Sequence, residues 1–208
     1  VSLMLQSQKN NLTGAWRYGP SANDGDTSVA GACLVGLMAA KNAGIAVPQK
    51  NIDRALAYFS RCQGSDGGIG YTGAGGGNMA RTSIGALVFA VGRNRASKTY
   101  RKAVEWIIKK EGNGGHQHSY SYTIYYQSQA YFQSDMDIWW KWNQKQILKV
   151  KKAQTKDGAI RFSDNNGYQF TTAMSLLSLA LNYRYLPIYE KGVELALKKI
   201  KYRAAKKE

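Results

Sequence analysis

Residues 63–73 read "QGSDGGIGYTG", a glutamine, a polar spacer, paired glycines, a bulky apolar residue and then an aromatic ring. The same order returns in "QKNNLTGAWRYGP" from Gln8 and in "QTKDGAIRFSDNNGY" from Gln154. Between the second and third copies, "EGNGGHQHSYSY" from Glu111 fills the gap as a degenerate version. The copies recur at intervals of about fifty residues, a period that marks units which bury their faces on their neighbours.

Each loop is followed by an apolar helical stretch and then by a more charged one, so the unit is a helical hairpin with one buried and one half-exposed member. The expected buried helices run over about 26–43, 81–92, 121–134 and 169–184, with amphipathic partners over about 49–62, 97–110, 137–154 and 187–203. Residues 1–8 read as the end of a further outer helix. Asp26, Thr82 and Thr171 precede apolar runs and are expected to accept from free first-turn amides. Pro48 and Pro187 stand near outer-helix starts, where a missing amide hydrogen costs nothing. In "NIDRALAYFSRCQ", Ile52, Leu56 and Phe59 recur at spacings of four and three and form the inward face.

The 208 residues suit one domain that buries roughly 70% of its unfolded surface. No run approaches the length of apolar chain that spans a bilayer. The start "VSLMLQSQ" lacks the charged, apolar and small-residue regions of a secretory signal, which leaves a removed signal or a fragment as the two readings. Cys33 and Cys62 fall in different helices with no repeated spacing and read as unpaired core thiols. Twenty-nine Lys and Arg against thirteen Asp and Glu give a net charge of +16, which attracts anionic partners without choosing among them.

Together, the loops and hairpins resemble the repeats of the prenyltransferase and squalene-cyclase superfamily, terpenoid cyclase-like α/α toroids. Gln8 with Trp16 is the best match to that family's glutamine-to-tryptophan loop, and Gln63 to Ile69 and Gln154 to Ile160 look like degraded copies. The likeness spans nearly the whole chain and is closest to uncharacterised bacterial proteins carrying these repeats. It implies an all-α fold, a partial α/α toroid of about four hairpins in a single domain over 1–208. Full toroids carry more hairpins, so the resemblance leaves either a piece of a longer chain or an open arc that closes by self-association.

The cyclase branch protonates its substrate from a D-x-D-D loop before an inner helix, its acid kept protonated by an enclosed site. Here the loop reads Asp24, Gly25, Asp26, Thr27. Matched on the Asp-Thr that opens the helix, Gly25 takes the acid's place; matched on the first aspartate, Asp26 would be the acid. The first alignment makes Asp26 a helix cap and is preferred, with Asp24 or Asp26 as proton donor kept as the alternative. The protein prenyltransferase branch holds zinc with Asp, Cys and His. Neither cysteine follows an aspartate by two residues, and His116 and His118, the weak metal candidates, share one loop. No metal or other cofactor is expected.

The densest aromatic stretch, Gly115 to Asn143, places Tyr122, Tyr125, Tyr126, Gln129, Phe132 and Gln133 on one inner helix at spacings of three and four. Such a face either lines a ligand cavity or packs between helices. Trp139, Trp140 and Trp142 cannot all face one core, so at least one is expected at the surface. "YTGAGGGNMA" follows no strand, lacks the lysine and hydroxyl residue of a phosphate loop, and reads as a flexible connection and not a nucleotide cradle.

The cations gather in "GRNRASKTYRK", "KWNQKQILKVKK" and "KGVELALKKIKYRAAKK", all outer-helix or helix-end segments. The expected function is a non-catalytic binding or scaffold module. The alternatives are an isoprenoid cyclase or prenyltransferase, and a peripheral binder of an anionic membrane or acidic protein. Expected partners are a hydrophobic ligand, an acidic protein or anionic surface, and further copies of the chain; no reading element for specific nucleic-acid sequence is present. The resemblance alone suggests an exported or periplasmic protein.

Overall fold

A computed structural model describes residues 1–112, 119–162, 164 and 166–183. Among these the chain is all-helical: α1 (Ser2–Asn10), α2 (Thr27–Asn42), α3 (Gln49–Arg61), α4 (Met79–Val91), α5 (Lys98–Lys110), α6 (Tyr120–Ser134), α7 (Met136–Ala153) and α8 (Gly167–Ala180). The expected outer helix over 187–203, with Pro187, lies outside the described residues.

The even-numbered helices pack on one another in series, α2 on α4, α4 on α6 and α6 on α8, and α3, α5 and α7 pack against this row. Composition explains the division. Every residue of α4 except Arg81 is buried, and a helix that is apolar or small on all sides has no face to give to water. α3 instead buries Ile52, Ala55, Leu56, Tyr58 and Phe59 while Asp53 and Arg54 are exposed. Helix approach within the inner row is close: a methyl group added at Gly31 of α2 would lie 2.1 Å from Ile84 Cγ2 of α4.

The loop glutamines join hairpin to hairpin. Gln8 Nε2 donates to Gly14 O within its own loop (2.8 Å) and to Asn51 O in the first turn of α3 (2.8 Å). Gln63 Nε2 repeats the pair, to Gly67 O (3.0 Å) and to Thr99 O at the start of α5 (2.9 Å). Gln154 Nε2 makes the intraloop bond to Gly158 O at 3.3 Å. The loops also share a backbone pattern. Gly64 N donates to Gly68 O and Gly70 N to Cys62 O, while Thr155 N donates to Ala159 O and Arg161 N to Ala153 O.

Glycine is required inside these loops for two reasons. Gly14 and Gly67 take positive φ values of 78° and 98°, and a Cβ at either would collide with the next outer helix, at Arg54 Cγ and Lys102 O. The glycine-rich segment after Gly67 folds back on its own backbone at two points: a Cβ at Gly70 would sit 2.1 Å from Gly73 O, and one at Gly77 would sit 2.7 Å from Gly68 Cα.

Two expected caps are corrected. Thr82 lies inside α4, whose N-cap is Asn78, accepting from Arg81 N at 2.9 Å. Thr171 lies inside α8, whose N-cap position is Asn166, and its hydroxyl donates to Gly167 O at 2.9 Å. The Thr82 hydroxyl instead accepts from Ile69 N (3.0 Å), and Thr172 does the same for Ile160 N (2.9 Å). These threonines tie each loop to the inner helix that follows it. Asp26 does cap α2, Oδ1 accepting from Ser28 N (2.6 Å) and Val29 N (3.2 Å).

Candidate functional site

The first turns of α2, α4 and α6 meet at one end of the inner row, and the loop before α2 brings its polar residues there. Asn11, 1% exposed, organises that loop: Nδ2 donates to Ala22 O (2.9 Å) and Asp24 O (2.6 Å), and Oδ1 accepts from Thr13 N and its hydroxyl. The buried Trp16 anchors it from below through Nε1 to Met4 O (2.8 Å). Thr27 then stitches α2 to the second loop, its amide on Tyr71 O (3.0 Å) and its hydroxyl on Gly70 O (2.8 Å). This stitch sets Tyr71 beside Asp26.

Two guanidinium groups lie over the Tyr71 ring, Arg17 at 5.6 Å and Arg81 at 5.7 Å from its centroid. Arg17 pairs with the exposed Asp24. Arg81 spends one nitrogen on Gly76 O (2.6 Å), while its Nε is buried with no hydrogen-bond partner. Burial draws the Arg81 pKa down and the nearby Asp26 carboxylate works against that fall. Asp26 is fully buried, and its Oδ2 has no partner in hydrogen-bond geometry. The Tyr71 hydroxyl is nevertheless close enough for that carboxylate to hold the phenol above its ordinary pKa.

From α6, Tyr122 completes the cluster. Burial raises its pKa, its hydroxyl lies near Tyr126 and Ser28, and the ring packs edge-on against Tyr126 with centroids 4.9 Å apart. Tyr125 meets Tyr126 at 4.8 Å in the same edge-on manner. Burial likewise pushes the Tyr126 phenol up. The structure thus brings together Tyr122, Tyr125 and Tyr126. Gln129, 3% exposed, folds back to Tyr125 O (3.1 Å), and Phe132, 2% exposed, packs on Trp139 of α7 at 5.1 Å. Of the three tryptophans, Trp139 and Trp142 are 3% exposed and Trp140 is 56% exposed.

Chemically, this end offers phenols held in their neutral form, a half-buried guanidinium and a buried carboxyl group with one oxygen on backbone amides and the other without a hydrogen-bond partner. Asp26 accepts two backbone amides through Oδ1, and Asp24 is exposed to water and paired with Arg17. The arrangement suits stacking and hydrogen bonding. Sequence reading missed Arg17, Tyr71 and Arg81, because the stitch from Thr27 to residues 70 and 71 spans forty-three positions and leaves no local signal.

Among the described residues no group of three His, Cys, Asp or Glu side chains is placed to hold a metal ion. His116 and His118 lie outside the described residues. Cys33 and Cys62 are free thiols whose pKa values are raised by burial. No described helix is long and apolar enough to cross a membrane. No protein-family model matches the chain, and comparison with curated proteins finds no match.

Proposed function

We propose that the chain is a non-catalytic binding module built as an arc of a terpenoid cyclase-like α/α toroid. In this reading α2, α4, α6 and α8 form the inner wall, and a hydrophobic ligand or partner engages the phenol-lined end where Tyr71, Arg81 and Tyr122 meet. The observation that carries the reading is the use of Asp26. One oxygen holds two amides of α2 and the side chain is fully buried, so the loop residue that could have been a proton donor serves the fold. Incubation with a linear triterpene and with a prenyl diphosphate, followed by product analysis, tests it. Both are recovered unchanged in this reading. A cyclised or transferred product that disappears in Asp26→Asn would establish the isoprenoid enzyme instead.

A second reading, a peripheral binder of an anionic surface, rests on the outer helices. Exposed Lys98, Arg101, Lys109 and Lys110 of α5 and Lys141, Lys151 and Lys152 of α7 have no ion-pair partner among the described residues, where the ion pairs are Arg17 with Asp24 and Arg161 with Asp157. Unneutralised cations near an anionic bilayer contribute about 1 kcal/mol each.

A further inference from the structure

The first two loops each give a glutamine amide to the next outer helix, but the junction after α5 carries Glu111 in that place. A glutamate side chain lacks the amide hydrogens of glutamine, and Glu111 Oε2 instead accepts from the Tyr131 hydroxyl at 3.0 Å. At this same junction an open groove of about 440 Å³ runs between the end of α5, α6 and α7. The repeat departs from its rule where the surface opens, which is where a site is expected when local consistency is given up.

Two amides inside the groove are nine-tenths buried and only half used. Gln146, 5% exposed, accepts the Tyr120 hydroxyl on Oε1 at 2.9 Å, which leaves Nε2 as a donor with no further partner among the described residues. Gln127, 4% exposed, turns Nε2 toward the Tyr131 hydroxyl at a long 3.5 Å, which leaves Oε1 as an acceptor. Lys145 and Lys149 stand one turn apart at the rim, exposed and without a carboxylate partner among the described residues, with Lys149 Nζ 5.7 Å above the Tyr120 ring.

Paired ammonium groups select an anion, and charge-assisted hydrogen bonds are the stronger kind. An oriented donor, an oriented acceptor and a carboxylate around them match hydroxyl groups, which both give and take hydrogen bonds. We propose that this groove binds a small hydroxylated ring bearing one anionic group, a sugar acid or a sugar phosphate, with the anion at Lys145 and Lys149 and the hydroxyls at Gln127, Gln146 and Glu111. None of these residues belongs to the inner-end cluster, so the two sites stand or fall separately.

The test is a titration of the 15N-labelled full chain, following the side-chain amide signals of Gln127 and Gln146. Galacturonate and glucose 6-phosphate are the carboxylate and phosphate arms; galactose and inorganic phosphate are the controls. Saturable shifts with either arm, exceeding both controls, are expected, and the stronger arm identifies the anion. Lys145→Ala/Lys149→Ala weakens that binding about tenfold, the loss of two charged contacts, whereas Lys151→Ala/Lys152→Ala on the same helix leaves it unchanged. Circular dichroism confirms that both variants fold, all four positions being exposed. No shift at either amide, shifts with inorganic phosphate equal to those with both arms, or equal losses in the two double variants would overturn the proposal.

Discussion

Asp26 accepts from two amides through one oxygen, so Asp26→Ala is expected to cost about 1 kcal/mol, the usual worth of an N-cap, and to lower Tm by about 2–4 °C for a chain of this size. Asp26→Asn, an equally good cap, is expected to stay within a few tenths of a kcal/mol of wild type in the same thermal unfolding experiment. Asp164 makes the acid side of stability testable. Burial pushes its carboxyl upward, but hydrogen bonds from the Ser121 hydroxyl and the amides of Ser121 and Tyr120 outweigh this and hold it below the ordinary range. Its stabilisation is therefore complete above the unfolded value of about 3.9 and is lost as pH falls through the lower folded value. Urea unfolding of Asp164→Asn should show a shallower loss of stability below pH 4 than wild type. At this scale the Asp26 cap was legible because it is a local pattern. Thr82 and Thr171 were not, because the hydroxyl of Thr82 is claimed by Ile69, thirteen residues back, and Thr171 already lies a turn inside its helix.

The glutamine linkages predict a graded series among hairpins. Gln8→Ala strands the carbonyls of Gly14 and Asn51 at a fully buried position, and an unsatisfied buried acceptor costs about 1–3 kcal/mol. Gln63→Ala, at a half-buried position with the same two-carbonyl arrangement, falls in the lower part of that range, and exposed Gln154→Ala below it. Denaturant midpoints of the three variants check the order. Gly31→Ala forces a methyl to 2.1 Å from the buried Ile84 Cγ2 and is expected to cost about 1–3 kcal/mol by overpacking the α2–α4 contact. Helix positions were legible to within a few residues because their apolar periodicity is written locally, as in the inward stripe of Ile52, Leu56 and Phe59. What the loops do was not, since the second partner of each glutamine lies 43 and 36 residues away. The aromatic face of α6 was legible as a stripe of rings, while its splitting between Tyr126 and Trp139 as neighbours depends on how α7 packs.

For the whole molecule, charge and row geometry together set the expectations. Exposed lysines of α5 and α7 predict sedimentation with phosphatidylserine-containing vesicles at low salt, falling steeply as ionic strength rises; binding to neutral vesicles of equal strength would remove the anionic-surface reading. The proposed binding role depends instead on the N-terminal ends of α2, α4 and α6, which gather Tyr71, Arg81 and Tyr122. Native mass spectrometry of the protein purified from its source, run under gentle and then denaturing conditions, tests that role most directly. The account predicts a chain that carries a non-covalent apolar ligand or partner, released intact on denaturation and lost in Tyr122→Ala. A chain that emerges at its bare mass under gentle conditions would contradict it.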